Sequence, residues 1–299
     1  MRKFFKWLAI VFGGFIGILI ILVIAFYAFG TYRLNKNYNI EAAAINIPND
    51  QTTIQRGAYI YFYSCEGCHG TNLAGKLFFE DPAIGSIPSS NLTSGFGGIG
   101  STYSDDDYVR AIRHGIRADG KPLIIMPARS YWYFSDEDLG AVIAFLKNAP
   151  AVDNDPGTKK LKPLGRILLA VDAFGNAISA ESIDHLANRP SVPIQSVSVE
   201  YGEYLVNTGD CRECHGAELN GAQGPEPDSP PSPNLTVSGT LGSWTAEDFI
   251  EAMRNGTTPE GGQLDPAYMP WEVYRNLNDD DLTAIYLYLT ALQPITAAK

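Results

Sequence analysis

One segment of this chain occurs twice, and that repetition constrains its folding more than any other feature. Arg56 to Gly70, RGAYIYFYSCEGCHG, corresponds to Tyr201 to Gly216, YGEYLVNTGDCRECHG, with Cys65 and Cys211 offset by 146 residues. PSSNLT (88–93) corresponds to PSPNLT (231–236) at an offset of 143, and YSDDDYVRAIRHG (103–115) to WTAEDFIEAMRNG (244–256) at 141. MPARSYWYFSDEDLGAVIAFL (126–146) corresponds to MPWEVYRNLNDDDLTAIYLYL (269–289), again at 143. The order is kept and only loop lengths drift, so the chain is one unit of about 100 residues used twice. All four cysteines, Cys65, Cys68, Cys211 and Cys214, fall in CxxC pairs. None remains for a scattered disulfide framework.

Each unit reads as short helices. Ser104, Ser135, Thr245 and Asn278 each stand three residues before an acid, Asp107, Asp138, Asp248 and Asp281. That spacing satisfies the orphan amides of a helix start and suits its dipole. Apolar residues follow at helical spacing, as in Tyr108, Val109 and Ile112, then Leu139, Val142, Ile143 and Leu146. Gly115 and Gly256 close the third-segment helices. Gly- and Pro-rich stretches between them show no strand alternation, so the fold class expected is all-α. Residues 151–198 have connector composition at both ends and a short apolar helix, LGRILLAVDAF, in the middle; this linker is expected to pack across both units.

The N-terminus is of a different kind. Trp7 to Gly30 carries no charge, and its 24 residues reach roughly 36 Å, enough for a hydrocarbon core of about 30 Å. The expectation is an uncleaved membrane anchor, 1–36, ahead of a first domain at 37–150 and a second at 199–299. A signal peptide cleaved near Ala28-Phe29-Gly30 is the alternative, but its apolar region runs only about 7 to 15 residues. Arg2, Lys3 and Lys6 before the span, against Arg33 and Lys36 after it, place the N-terminus in the cytoplasm and both domains outside it. Beyond the span's flanks remain 17 basic and 33 acidic residues, a net −16. Such a surface argues against nucleic acid or anionic lipid as partner and suits a basic or neutral protein patch.

CxxCH admits three chemistries. A closed zinc site needs four ligands, and adjacent Cys and His are awkward partners in one tetrahedron. A redox dithiol belongs on a strand-to-helix turn of a βαβ unit, which the pattern lacks. Covalent haem attachment uses every residue: Cys65 and Cys68, then Cys211 and Cys214, as thioethers, with His69 and His215 as proximal iron ligands. Two covalently bound haem c groups are thus expected. Met126 and Met269 correspond in the repeat, each 35 residues after its Asn-Leu-Thr and each followed by Pro, and they are the candidate distal ligands. Met253 sits mid-helix at the place of Ile112 and reads as core. His114 aligns with Asn255 and reads as a helix-end surface residue, with ligation of the first iron as its alternative; His185 reads as a linker contact. Pro88 and Pro231 are candidate carbonyl acceptors for the proximal imidazoles. Asn91 and Asn234 are candidate donors to haem propionates, and Arg113 and Arg254 candidates to neutralise them.

With these residues in place, each unit resembles a class I c-type cytochrome domain, with CEGCHG and CRECHG as attachment motifs and MP as the distal segment. The pattern NLT…DDDYVRAIRHG…MP…SDEDLGAVIAFL is similar to cytochrome subunits of membrane-bound periplasmic alcohol and sugar-acid dehydrogenases. It is also similar to membrane-anchored dihaem cytochromes of bacterial respiratory chains. The dehydrogenase subunits carry three haem domains, whereas this chain has two and an N-terminal span. The resemblance implies transfer of single electrons. The donor would be a membrane or periplasmic dehydrogenase or a quinol-oxidising complex, and the acceptor a small cytochrome or a terminal oxidase. The competing expectations are a dihaem peroxidase, which needs one iron with a ligand able to leave, and a relay subunit that holds a larger complex together.

Overall fold

The computed structural model describes residues 1–188, 191–224 and 229–295; residues 189–190 of the linker, and 225–228 and 296–299 of the second unit, lie outside the described residues. Helix α1, Arg2–Asn35, is the one helix among the described residues long and apolar enough to cross a membrane. Its apolar side chains stay exposed up to Phe29. Gly30, Arg33 and Leu34 at its end are buried against the rest of the chain.

The first unit comprises α2 (Gln51–Ser64), α3 (Glu66–His69), β1 (Leu77–Asp81), β2 (Gly85–Pro88), α4 (Asp105–His114), α5 (Ala128–Tyr131) and α6 (Asp136–Asn148). The linker holds β3 (Lys160–Leu161) and α7 (Pro163–Ala170). The second unit repeats the helices as α8 (Val199–Thr208), α9 (Cys211–His215), α10 (Ala246–Asn255), α11 (Trp271–Tyr274) and α12 (Asp279–Ala291). The caps fall where the sequence places them. Ser104 and Thr245 form complete capping boxes with Asp107 and Asp248, and Ser135 and Asn278 accept from the amides of Asp138 and Asp281. Gly115 and Gly256 end α4 and α10 in the left-handed region, at φ 67° and 70°.

In each unit the first and last helices cross at matched glycines. A Cβ on Gly57 would lie 1.9 Å from the Ala141 carbonyl oxygen, and one on Gly202 1.9 Å from that of Ala284. Helices that touch backbone to backbone leave the attachment helix no freedom to slide along the last helix.

The expectation of an all-helical fold is corrected to a mostly helical one. β1 and β2 form an antiparallel hairpin, Phe79 opposite Ile87 and Asp81 opposite Gly85, and β3 pairs antiparallel with β2. Asp81 Oδ1 makes the turn by accepting from the amides of Ala83 and Ile84 at 2.7 and 2.8 Å. The third strand comes from the linker, a pairing across more than 70 residues that no local pattern announces. The linker leans on the first unit and on α1: Leu34, Ile87, Ile116, Leu161, Leu169 and Ile178 share one apolar cluster. Buried Arg33 ties the end of α1 to the linker, reaching Glu181 at 2.6 Å, Asp172 at 2.8 Å and the Leu169 carbonyl. Of the rest of the linker, Ser182 to Ala187 borders a cleft shared with Asn207 and Arg212 of the second unit. A second, larger apolar cluster runs through both units without a break.

Candidate functional site

Both CxxCH segments follow directly from the first helix of their unit. Tyr131 and Tyr274, matched in the repeat, donate from their hydroxyls to the carbonyls of Ser64 and Gly209, the latter at 2.8 Å, just ahead of the cysteines. Gly70 and Gly216 then turn the chain back at φ 79° and 82°. The turn brings a backbone carbonyl onto each histidine: His69 Nδ1–H donates to Ser90 O at 2.9 Å, and His215 Nδ1–H to Pro233 O at 2.9 Å. This bond sets the tautomer, leaving Nε2 with its lone pair for a metal. Burial lowers the pKa of both histidines, so the imidazoles are neutral near pH 7.

The thiols are not poised as nucleophiles. Burial pushes Cys65 and Cys211 up to about 12, and raises Cys68 and Cys214 as well. Among the described residues no three His, Cys, Asp or Glu side chains converge as a metal-binding group. Redox-dithiol and zinc chemistry therefore find no support in the geometry.

In the first unit Cys65, Cys68 and His69 line one cavity together with Met126, Pro127 and Tyr131, and its remaining wall is largely aliphatic, including Leu92, Ile112 and Val142. Two thiols, one imidazole and one thioether around an apolar slot fit haem c. In the second unit Cys211, Met269 and Tyr274 each pack against the larger apolar cluster, and His215 is buried. When bound, haem c supplies a one-electron iron couple, whose potential a Met/His ligand pair raises relative to two imidazoles.

The two methionines are held differently. Ile125, a β-branched residue, sits at φ 69°, a conformation such residues rarely adopt. Its amide donates to the Ala177 carbonyl at 2.6 Å, and Ser179 Oγ donates to the Met126 carbonyl at 2.8 Å. The linker thus clamps the Met126 backbone. Met269 is held within its own loop, its amide on Asp265 O at 2.9 Å and its carbonyl accepting from Trp271 at 2.7 Å.

Several sequence expectations are corrected. The imidazole acceptors are Ser90 and Pro233, not Pro88 and Pro231, because the chain reaches the ring two residues later. Asn91 and Asn234 are committed elsewhere. Each Oδ1 accepts from the amide and hydroxyl of the threonine two residues on, while Nδ2 donates to the segment after the last helix, Val152 and Asn154 in one unit and Ile295 in the other. They staple that segment to the loop. Arg113 and Arg254 reach Asp136 at 3.0 Å and Asp279 at 2.6 Å and brace the start of the last helix. His114 is buried rather than on the surface, with Nδ1 3.0 Å from Nδ1 of the linker residue His185, and does not line the first cavity. Ser90, Pro233 and Ser179 carried no sequence signal, since they act through backbone or across the linker. Tyr131 and Tyr274 did: both end the matched segments MPARSY and MPWEVY.

Comparison with known proteins agrees with this geometry. Residues 199–293 match the family model for cytochrome c, and residues 52–146 that for cytochrome c oxidase, cbb3-type, subunit III. The chain is 30% identical over 266 residues to the fructose dehydrogenase cytochrome subunit of Gluconobacter japonicus, covering 80% of this chain and 52% of that one. It is 29% identical over 288 residues to the alcohol dehydrogenase (quinone) cytochrome c subunit of Gluconobacter oxydans (strain 621H), covering 84% and 57%. Over 112 residues, 34% of this chain and 25% of the relative, it is 35% identical to the gluconate 2-dehydrogenase cytochrome c subunit of Pantoea cypripedii. The chain spans little more than half the length of the first two relatives.

Proposed function

From the premise that this chain carries two cytochrome c domains, we propose that it is a membrane-anchored dihaem electron-transfer subunit of a periplasmic dehydrogenase or quinol-oxidising complex. One observation carries the reading: the first cavity is lined by a residue for each bond that haem c needs, Cys65 and Cys68 to attach it and His69 and Met126 to hold its iron. With an imidazole and a thioether of the chain to hold the iron, a bound haem would keep no coordination site open for substrate, which suits transfer rather than turnover. His215 and Met269 repeat the arrangement in the second domain. The cofactors are two covalent haem c groups on Cys65, Cys68, Cys211 and Cys214. The chain's own task is to hold the imidazoles neutral and oriented through Ser90 and Pro233, to exclude water with aliphatic walls, and to keep the two centres at a fixed separation.

Contacts between the domains support passage of electrons from one centre to the other. Ser130, four residues after Met126, donates to Asp210 at 2.5 Å beside Cys211, and Arg129 pairs with Glu213 within the second CxxC. In the reverse direction Val273, four residues after Met269, lies against Gly67 within the first CxxC, where an added Cβ would be 3.5 Å away. Each distal loop thus packs on the other domain's attachment segment.

The apolar α1 and the basic residues ahead of it support a single-pass topology, N-terminus cytoplasmic and haem domains periplasmic. The dehydrogenase relatives support a dehydrogenase as electron donor, with a small cytochrome or terminal oxidase as acceptor. The test is purification in mild detergent, identification of copurifying proteins, redox titration and a ferric spectrum. A dehydrogenase partner and methionine-to-iron absorption from both haems are expected. One high-spin or bis-histidine haem would instead support a peroxidase-like enzyme, and failure to exchange electrons with any periplasmic cytochrome would remove the transfer role.

A further inference from the structure

The net charge of −16 beyond the span conceals a local reversal at the foot of the first domain. Leu34 and Asn35, in the last turn of α1, share a cavity of about 220 Å³ with Arg117, Lys121, Lys159 and Arg166. Among the described residues one carboxylate, Asp119, reaches its wall, and it pairs with Arg117 at 3.1 Å. Neither Lys121 nor Lys159 has an ion-pair partner among the described residues. Burial, with Arg117 and Lys121 close by, lowers Lys159 to about 8. Cations gathered this way repel one another and lose hydration, costs that an anion seated among them removes.

The position of the cavity says which anion. About 20 residues cross a hydrocarbon core, so an apolar run beginning at Trp7 reaches the far edge near Tyr27. Thr31 to Asn35 then lie roughly 6–12 Å beyond, where lipid headgroups are. Arg166 marks the same level, donating to Thr31 Oγ1 at 3.1 Å with its guanidinium 5.7 Å from the Tyr27 ring. On α7, which packs along this end of α1, Leu164 is an exposed apolar residue of the kind that rests at a membrane margin, as is Val171 just after the helix. A free anion would need only the cations; a lipid would need both the cations and this depth.

We propose that the cavity binds the phosphate of an anionic phospholipid headgroup in the leaflet where α1 emerges, through Arg117, Lys121 and Lys159. The site rests on reading α1 as a membrane anchor. It would fix the height and tilt of the first domain above the bilayer, adding to the Arg33 ties between α1 and the linker.

The experiment uses the full haem-loaded chain in nanodiscs of phosphatidylcholine with a minor fraction of phosphatidylglycerol, with retained lipid measured by native mass spectrometry. Wild type is expected to retain phosphatidylglycerol preferentially. Lys121→Gln with Lys159→Gln should cut that preference about 30-fold, the effect of two cations near a lipid surface. Lys147→Gln, whose lysine pairs with Asp105 elsewhere on the domain, should match wild type. An unchanged haem spectrum in the double variant shows that the domain is folded. Equal retention of both lipids by wild type, or an unchanged preference in the double variant, overturns the site. Inorganic phosphate binding in detergent that phosphatidylglycerol does not displace makes it a free-phosphate site and overturns the lipid assignment. If wild type does not enter pure phosphatidylcholine nanodiscs, the anchor reading itself fails, which is a distinct outcome from insertion without lipid preference.

Discussion

Tyr59 of the first domain donates its hydroxyl proton to Asp281 Oδ2 of the second at 2.6 Å and accepts from the Asn278 amide at 3.0 Å. Tyr204, its counterpart in the repeat, returns the arrangement, donating to Asp138 Oδ2 at 2.6 Å and accepting from the Ser135 amide at 3.4 Å. Each tyrosine completes the helix cap of the other domain's last helix. Reciprocal pairing of this kind is what a two-fold dimer interface shows, here within one chain. Burial raises both phenols well above their ordinary pKa, so they remain neutral donors.

Tyr59→Phe should cost about 1–3 kcal/mol, because it takes the hydroxyl donor from the buried Asp281 carboxylate, and Tyr204→Phe should cost less, because Arg56 still pairs with Asp138 at 2.8 Å. The double variant should split a single unfolding transition into two. Thermal unfolding followed separately at each haem reads this directly; one unchanged transition would show that the apolar cluster alone couples the domains.

Gly57→Ala should disable the first domain selectively. The added methyl would meet the Ala141 carbonyl at 1.9 Å, a backbone atom that cannot turn aside, so α2 and α6 must separate at a cost of about 3 kcal/mol or more. Haem content should fall to one per chain. Gly202→Ala should do the same to the other domain.

Ser179→Ala should loosen the Met126 site and leave the Met269 site unchanged. Losing one hydrogen bond worth about 1 kcal/mol should speed imidazole binding to the first ferric haem roughly fivefold, with partial loss of its methionine absorption. Ser179→Thr keeps the hydroxyl and should restore both. A Met126→Ala variant with an unaltered spectrum would show instead that Met126 is no ligand.

Asp210 predicts a pH dependence of stability. Burial raises it from 3.8 to about 6, against the opposing Ser130 hydrogen bond and Arg129 charge. The folded chain therefore holds this proton more tightly than the unfolded one. Its contribution to stability is greatest below about pH 4, declines as pH rises to about 6 and is flat above, a difference of about 3 kcal/mol. Asp210→Asn should raise the Tm at pH 7, and the gain should vanish at pH 4. A gain equal at both pH values would assign the effect to packing.

What was legible in the sequence was whatever repeats or is local. The caps at Ser104, Ser135, Thr245 and Asn278 depend on residues three positions apart, and their structure follows from that spacing. The place of His69 and Met126 on one cavity could be anticipated because duplication marks equivalent positions without an alignment. Duplication does not say what a repeated residue does: Asn91, Asn234, Arg113 and Arg254 serve in both units as internal braces, a role that their recurrence in the sequence did not reveal.

The sequence by itself determined the two attachment motifs, the helical units around them and the apolar span, since each is encoded within short windows or by exact recurrence. Only the tertiary structure decided which carbonyls orient the imidazoles, that a linker strand completes a sheet, that Ser179 secures one methionine and not the other, and that basic residues scattered from Arg117 to Arg166 meet beside the end of α1. Those relationships join residues tens of positions apart through backbone groups and close approach, and backbone groups leave no mark in the order of side chains.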